Sequence, residues 1–288
     1  MGGNNLVGAV LALTAFGLYA LYDITIKYLG GSYSPLQVLF VAIGMALPMI
    51  LVHVLIDPRG QSLRPQLPGW MALRAAVALV NGILGAFAFA LLPLAQAYAV
   101  FFTMPLMIAA LGVPLLGEPM DLRRGLAIIG GLVGVIVALQ PGQMPVTAGH
   151  AAALAAAALG AVNYVILRRT GGVERPVVLL FWPLAVQWAA TALAMPFLWQ
   201  PMPLAHLGLS LLMAVELVAG GLVIIAAYRA APVIVVAPMQ YSQIAWGVAF
   251  GALFFGEGLS AMTGLGIAII IGSGLVILSH RPMVKNTT

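Results

Sequence analysis

The chain contains no cysteine, and this absence excludes several kinds of function. Without thiols there can be no disulfide bond, no thiolate metal ligand and no cysteine nucleophile. No GxxxxGK motif followed by serine or threonine occurs, so the sequence offers no P-loop for ATP hydrolysis. The histidines are scattered and show no HExxH or comparable ligand spacing. We therefore expect no cofactor and no metal, and a hydrolase has little support.

Charged residues are also scarce. They make up 7% of the chain and hydrophobic residues 63%, whereas an ordinary soluble domain has roughly 25% charged residues. The mean hydropathy is +1.11 over the whole length. A soluble globule needs a polar surface, which this composition does not provide. The sequence therefore predicts an all-α integral membrane protein solvated by lipid.

Apolar runs long enough to cross about 30 Å of hydrocarbon recur along the chain, separated by short segments with glycine, proline and charge. The first run begins at Leu6; it lacks a basic leading segment and is too long for a signal peptide, so we expect it to be retained. Pro93 separates the third predicted span from the fourth, and Pro232 separates the eighth from the ninth. The ten predicted spans are 6–28, 36–56, 70–91, 95–116, 122–139, 149–167, 177–199, 205–228, 233–255 and 260–278.

The distribution of basic residues predicts the orientation. With ten spans, both termini and the even-numbered loops share one side, which takes all 12 lysines and arginines except Lys27. Under the positive-inside rule both termini of this multi-pass protein are cytoplasmic. The pI of about 9.8 would suggest nucleic acid in a soluble protein. Here the basic residues lie between apolar runs, so we expect lipid as a partner and no nucleic acid.

The chain also contains an internal repeat. The segment "PLLGEPMDLRRGLAIIGGLVGVIVAL" at 114–139 aligns with "LFFGEGLSAMTGLGIAIIIGSGLVIL" at 253–278, and the same register matches Pro93 with Pro232. This divides the chain into two five-helix repeats, 1–144 and 145–288. Because five is odd, the second repeat must enter the membrane inverted. Inverted repeats are typical of transporters, whose substrate site lies at the repeat interface near the midplane.

Each repeat carries a proline, about twenty apolar residues, Leu-Gly-Glu or Phe-Gly-Glu and a glycine-rich span. In this respect the chain resembles the drug/metabolite transporter superfamily, specifically its ten-helix EamA-type members, and within them the bacterial aromatic amino-acid exporters. The resemblance covers essentially the whole chain. It implies a basket-like fold, alternating access, and a central cavity lined mainly by the first four helices of each repeat.

A single acid, Glu216, lies within the predicted span 205–228. A carboxylate at such depth usually faces the bundle interior or a water-filled cavity, where it can meet a substrate ammonium or carry a proton. The alternative is a buried acid with only a packing role. Amides at Gln240 and Gln243 share a helix face with Gly247, and they too could serve either a cavity or cross-helix hydrogen bonds.

Aromatic and further polar residues complete the candidate site. They could stack on and orient an aromatic substrate, or simply pack and form an interfacial belt. The predicted substrate-binding residues are Glu216, Asn81, Tyr98, Phe101, Asn163, Gln240, Tyr241, Gln243 and Trp246.

Asp23 and Lys27 stand four residues apart on the first span, hence on one helix face. They could form an ion pair that gates the outer mouth, or an ordinary solvated pair. Glu118 and Glu257 precede helices for which Asp121 and Ser260 are the expected N-caps, and a structural role is favoured for both acids.

By this resemblance we expect an exporter of aromatic amino acids and similar small apolar metabolites, located in the bacterial inner membrane and working by alternating access. The alternatives are an exporter of another amphiphilic metabolite or drug and, with less support, a membrane-embedded enzyme. The predicted partner is a small-molecule substrate. Proton coupling and uniport both stay open, as does the oligomeric state.

Overall fold

We describe the protein from a computed structural model. The described residues are 2–56, 62–104, 106–107, 110–111, 122–139, 146–170, 173–230 and 237–279. Every element in these ranges is a helix. The predicted positions Glu118, Asp121 and Pro232 lie outside the described residues.

The helices follow the apolar runs of the sequence. Eight predicted spans, the second to the eighth and the tenth, begin within two residues of the start of a helix. The seventh contains a break, so that a second, short helix follows the first. A 3-10 turn, Ala237–Tyr241, leads into the tenth helix. The helices are α1 Gly2–Gly30, α2 Pro35–Ile56, α3 Pro68–Leu91, α4 Leu94–Phe101, α5 Leu122–Leu139, α6 Ala148–Thr170, α7 Pro176–Ala192, α8 Met195–Leu198, α9 Leu204–Ala230, α10 Ser242–Phe255 and α11 Ala261–Ser279.

Four helical segments among the described residues are long and apolar enough to cross a membrane: Leu6–Gly30, Pro35–Ile56, Pro68–Leu91 and Leu204–Ile224. Shorter apolar segments are found in α5, α6, α7 and α11. The described part of the chain is thus all-helical, and its long apolar helices support a multi-pass membrane protein. The count of ten spans and the inversion of the repeats stay predictions.

Local sequence explains several helix ends. Proline occupies the first turn of α3 and of α7, where its missing N–H costs no hydrogen bond. The left-handed residue Gly256 (φ +63°) ends α10. The backbone N–H of Thr263 donates to the Ser260 hydroxyl over 3.0 Å. This bond confirms Ser260 as the predicted N-cap of α11.

The two halves of the sequence interlock. Helix α1 packs along α9, α3 packs against α6 and α7, and α5 packs along α11. The last pair meets through glycine: a Cβ on Gly134 would lie 2.9 Å from the carbonyl oxygen of Gly266. Such small residues allow helix backbones to approach closely in a membrane.

The outward surface is apolar, as lipid contact requires. On α5, Leu126, Ile129, Val133 and Ile136 are all exposed and recur at helical spacing, so they form one stripe. A contiguous apolar face of this kind would be unfavourable in water. We infer that this face of α5 contacts lipid.

Candidate functional site

A cavity of about 300 Å³ lies between helices from both halves of the chain. The described residues that line it come from α1, α2, α3, α4 and its C-terminal extension, and from α6, α7, α9, the 3-10 turn and α10. Helices α5 and α11 contribute none of these lining residues. This is the set of helices that the family resemblance implies. The volume is at the lower end of the range for small-molecule sites, roughly 300–1,000 Å³.

Among the described residues that line the cavity, one is a carboxylate, that of Asp23 on α1. The Tyr98 hydroxyl on α4 donates a hydrogen bond to Asp23 Oδ2 over 2.7 Å. Both residues are buried, Asp23 at 9% and Tyr98 at 2% relative exposure. The bond fixes the position of the carboxylate and satisfies one of its oxygen atoms.

Amide side chains from four elements also line the cavity. They are Asn81 on α3, Gln187 on α7, Gln240 in the 3-10 turn and Gln243 on α10. The amide of Gln187 lies directly over Gly82, where any added Cβ would collide with it. Each amide supplies both donors and an acceptor, so the group can bind a carboxylate, a carbonyl or hydroxyls.

An aromatic cluster forms the apolar part of the wall. The Phe89 ring lies 5.0 Å from Phe101 and 5.4 Å from Tyr98, measured between ring centroids. Phe102 also lines the cavity, and Tyr241 packs behind it at 5.3 Å. Ring pairs at these distances hold one another in place. The cluster therefore offers a preformed surface for a planar apolar group.

Glu216 lies behind this wall. Its relative exposure is 2%, and neither carboxylate oxygen has a hydrogen-bond partner among the described residues. Its neighbour Leu217 reaches the cavity, whereas Glu216 does not line it.

The structure places the predicted substrate-binding residues in two groups. Five of them line the cavity: Asn81, Tyr98, Phe101, Gln240 and Gln243. The other four, which are not among the lining residues, are Glu216, Asn163, Tyr241 and Trp246. Of these, Trp246 stacks on Phe250 at 5.6 Å and is 39% exposed on the outside of α10.

The predicted ion pair between Asp23 and Lys27 is wrong. Lys27 Nζ instead lies 2.6 Å from Glu257 Oε1, and it donates to the Leu92 carbonyl oxygen over 2.6 Å. Spacing by four residues permits the pair, but Asp23 turns into the cavity towards Tyr98 while Lys27 reaches the ends of other helices. Asp23 therefore belongs to the cavity and not to a solvated pair.

Glu257 has the structural role expected for it, but at another helix. Its Oε2 accepts a hydrogen bond of 2.9 Å from the backbone N–H of Leu94, the first residue of α4. It therefore caps α4 and not the helix that follows it in sequence. A carboxylate there stabilises orphan amide donors and the positive end of the helix dipole.

Sequence reasoning missed two polar residues of the cavity, Tyr22 and Gln187. Gln187 is an amide within the apolar run of α7, and the criterion that selected Gln240 and Gln243 would have found it. Tyr22 precedes Asp23 and carries no comparable signal. Among the described residues, no group of three or more histidines or acids could hold a metal ion.

Comparison with known proteins supports a transporter. Residues 6–140 match the EamA-like transporter family. The chain is 28% identical over 196 residues to a riboflavin transporter of Rhizobium johnstonii, a match that covers 67% of this chain and 64% of that protein. It is also 41% identical over 51 residues to uncharacterized transporters of two Helicobacter pylori strains, covering 18% of this chain and 17% of theirs.

A solved crystal structure is similar over 96% of both chains, with a TM-score of 0.65 and 21% sequence identity. At that identity the likeness concerns the fold alone. The matches with the curated relatives span less than two thirds of those proteins' own length. The matching family and the named relatives are all transporters, so the similarities support a likeness to EamA-like transporters of the drug/metabolite transporter superfamily.

Proposed function

We propose that the protein exports aromatic amino acids and similar small apolar metabolites across the bacterial inner membrane by alternating access. The observation that carries the proposal is the cavity between the two halves of the chain, which combines one buried carboxylate, several amides and an aromatic wall. An amino acid with an aromatic side chain needs all three of these.

Each part of such a substrate has a counterpart in the cavity. The Asp23 carboxylate would bind the ammonium group, because a charge-assisted bond is strong where water is excluded. The amides of Gln187, Gln240 and Gln243 would donate to the substrate carboxylate. The rings of Phe89 and Phe101 would stack on the aromatic side chain. Tyr241 would support this wall from behind, through Phe102.

Alternating access is consistent with the way the two repeats enclose the cavity. Helices α1 to α4 come from the first half and α6 to α10 from the second, so the cavity lies between two units that could rock about it. In transporters with inverted repeats, such a motion exposes a fixed midplane site to each side in turn.

A flavin is the second candidate substrate, and similarity to a riboflavin transporter favours it. The aromatic wall would suit a planar ring system, and the amides would suit its carbonyl and hydroxyl groups. A flavin has no ammonium group, so its binding would not require the Asp23 charge. This difference separates the two candidates.

The test is counterflow in proteoliposomes that contain the purified protein. Vesicles are loaded with unlabelled tryptophan, phenylalanine or riboflavin, and uptake of the same labelled compound is followed. We expect uptake of the two amino acids, inhibited by an excess of either. Uptake of riboflavin alone would favour a flavin as the substrate over an aromatic amino acid. Uptake of none of the three compounds would contradict both candidates.

A further inference from the structure

A second pocket, of about 240 Å³, lies between the start of α4, the end of α10 and the start of α11. Among the described residues, none lines both this pocket and the central cavity. The pocket wall includes the carboxylate of Glu257, together with an amide at Gln96 and hydroxyls at Ser260 and Thr263. In the predicted topology these helix ends lie on the outer side. The pocket therefore lies where a substrate that leaves the cavity outwards would arrive.

Two helices lead from the cavity to this pocket. On α10, Gln243 lines the cavity, whereas Gly247 and Gly251, four and eight residues later on the same face, line the pocket. On α4, Tyr98 lines the cavity, and Ala95, three residues earlier, lines the pocket. Steps of three or four residues advance about 4.5–6 Å along a helix. The two spaces are therefore neighbours along both helices.

The Tyr98 ring separates the two spaces. It lines the cavity and lies against Gly247 of the pocket wall, where any added Cβ would collide with it. Its hydroxyl donates to Asp23 over 2.7 Å, and its ring packs against Phe89 at 5.4 Å between centroids. A substrate that moves from the cavity to the pocket along these helices must displace this ring from Gly247.

The cavity and the pocket both have a carboxylate that a group of the protein holds. Asp23 accepts the hydrogen bond from Tyr98, and Glu257 Oε1 lies 2.6 Å from Lys27 Nζ. The second oxygen of Glu257 accepts the bond from the Leu94 N–H. The Glu257 side chain is 20% exposed and lines the pocket, so a ligand there can reach it. An ammonium group in the pocket would compete with Lys27 for this carboxylate.

We propose that this pocket is a second binding site for the transported substrate, an amino acid with an apolar side chain, on its way out of the protein. The ammonium group pairs first with Asp23 in the cavity. The Tyr98 ring then swings away from Gly247, and the ammonium group pairs with Glu257 in place of Lys27. The inference rests on the proposed function and adds the route by which the substrate leaves.

The test is protection of single engineered thiols, because the chain has no cysteine. Val248→Cys places a thiol in the pocket and Ala156→Cys places one in the cavity wall. Ser32→Cys is the control, since Ser32 is exposed and lines neither space. We expect saturating tryptophan to slow the reaction of the first two with a small methanethiosulfonate several-fold in detergent solution, and to leave the third unchanged.

Two further variants separate direct binding in the pocket from an effect transmitted from the cavity. With Asp23→Asn, tryptophan should still protect Val248→Cys, because the pocket has its own carboxylate. With Glu257→Gln, whose amide oxygen can still accept the bond from the Leu94 N–H, tryptophan should protect Ala156→Cys but no longer Val248→Cys. Glu174→Gln removes an acid that lines neither space, so it should leave both protections intact.

Indole-3-propionate tests the part played by the ammonium group. It has the ring and the carboxylate of tryptophan but no ammonium group, so it has nothing to pair with Glu257. We expect it to leave the reaction of Val248→Cys unchanged. Protection equal to that by tryptophan would contradict the ion pair at Glu257.

The outcomes separate the two proposals. If tryptophan protects Ala156→Cys but not Val248→Cys, the second site is wrong while the proposed function stands. Protection of Val248→Cys that disappears with Asp23→Asn, or persists with Glu257→Gln, also contradicts the second site alone. If tryptophan protects Val248→Cys but not Ala156→Cys, the proposed function fails, and the exit route fails with it. Protection of neither thiol contradicts both.

Discussion

Tyr98 is the residue on which the position of the cavity carboxylate most clearly depends. Its hydroxyl donates to Asp23 over 2.7 Å, and its ring belongs to the aromatic wall. Tyr98→Phe removes only the hydrogen bond. A bond to a charged group contributes about 1.5–3 kcal/mol, so we expect half-saturation by tryptophan to require roughly ten- to a hundredfold more substrate, at 1.36 kcal/mol per factor of ten.

The measurement is the concentration dependence of tryptophan counterflow. Tyr28→Phe is the matched control, because Tyr28 is exposed and is not a lining residue. If the two variants behaved alike, the hydrogen bond to Asp23 would have no part in binding.

At the residue scale, the sequence could predict which side chains are unusual but not which partners they take. Glu216, Asn81, Gln240 and Gln243 were selected because polar groups are rare in apolar runs. Lys27 pairs with Glu257, which lies 230 residues away in the sequence. The sequence favoured Asp23 as the partner of Lys27, because residues four apart lie on the same face of a helix. Only the packing of the helices decides between a local and a distant partner.

At the scale of elements, the Lys27–Glu257 pair joins the ends of four helices. Lys27 lies near the end of α1 and also binds the carbonyl of Leu92, which follows α3, while Glu257 follows α10 and caps α4. All of these ends lie on the outer side in the predicted topology. We therefore expect the cluster to close the outer side of the cavity.

Lys27→Met keeps most of the length of the side chain but removes its charge, so the cavity of this variant should open to the outer side more often. Because the chain has no cysteine, one engineered thiol reports access without background. We expect Ala156→Cys, in the cavity wall, to react several times faster with an impermeant thiol reagent from the outer side when combined with Lys27→Met. If Ala156→Cys reacted equally fast with and without Lys27→Met, the cluster around Lys27 would not act as a gate.

Helices α5 and α11 form a second interface that depends on glycine. A Cβ on Gly266 would collide with Ala138 and with the Gly134 carbonyl, whereas a Cβ on Gly272 of the same helix would meet nothing within 4 Å. We expect Gly266→Ala to lower the free energy of unfolding by about 1–3 kcal/mol through overpacking. Gly272→Ala should leave it unchanged or raise it slightly. Thermal unfolding in detergent compares them, and equal melting temperatures would contradict this packing.

The sequence predicted these elements well because each apolar run is long and is bounded by proline, glycine or charge. Proline at the starts of α3 and α7 marked two boundaries closely. The break between α7 and α8 was not predicted, because the apolar run continues through Leu193 and Pro196 to Trp199. Hydropathy alone does not detect an interruption within an apolar segment.

At the scale of the whole molecule, the central prediction is the topology. The topology follows from the uneven distribution of the 12 lysines and arginines, of which it places Lys27 alone on the outer side. Ser32 and Ser62 are exposed residues in the loops that follow α1 and α2, so Ser32→Cys and Ser62→Cys should be labelled from opposite sides. We expect an impermeant reagent on intact cells to label the first and not the second. Labelling of both from outside would contradict the assigned orientation.

Transport by this protein depends, in our proposal, on the cavity around Asp23. The most direct test is tryptophan counterflow in proteoliposomes by wild type, Asp23→Asn and Thr14→Ala. Thr14 lies on the same helix, exposed and outside the cavity. We expect uptake by wild type and by Thr14→Ala, and at least a tenfold loss for Asp23→Asn, whose amide keeps the shape of the carboxylate but cannot balance an ammonium group. Unchanged tryptophan uptake by Asp23→Asn would contradict it.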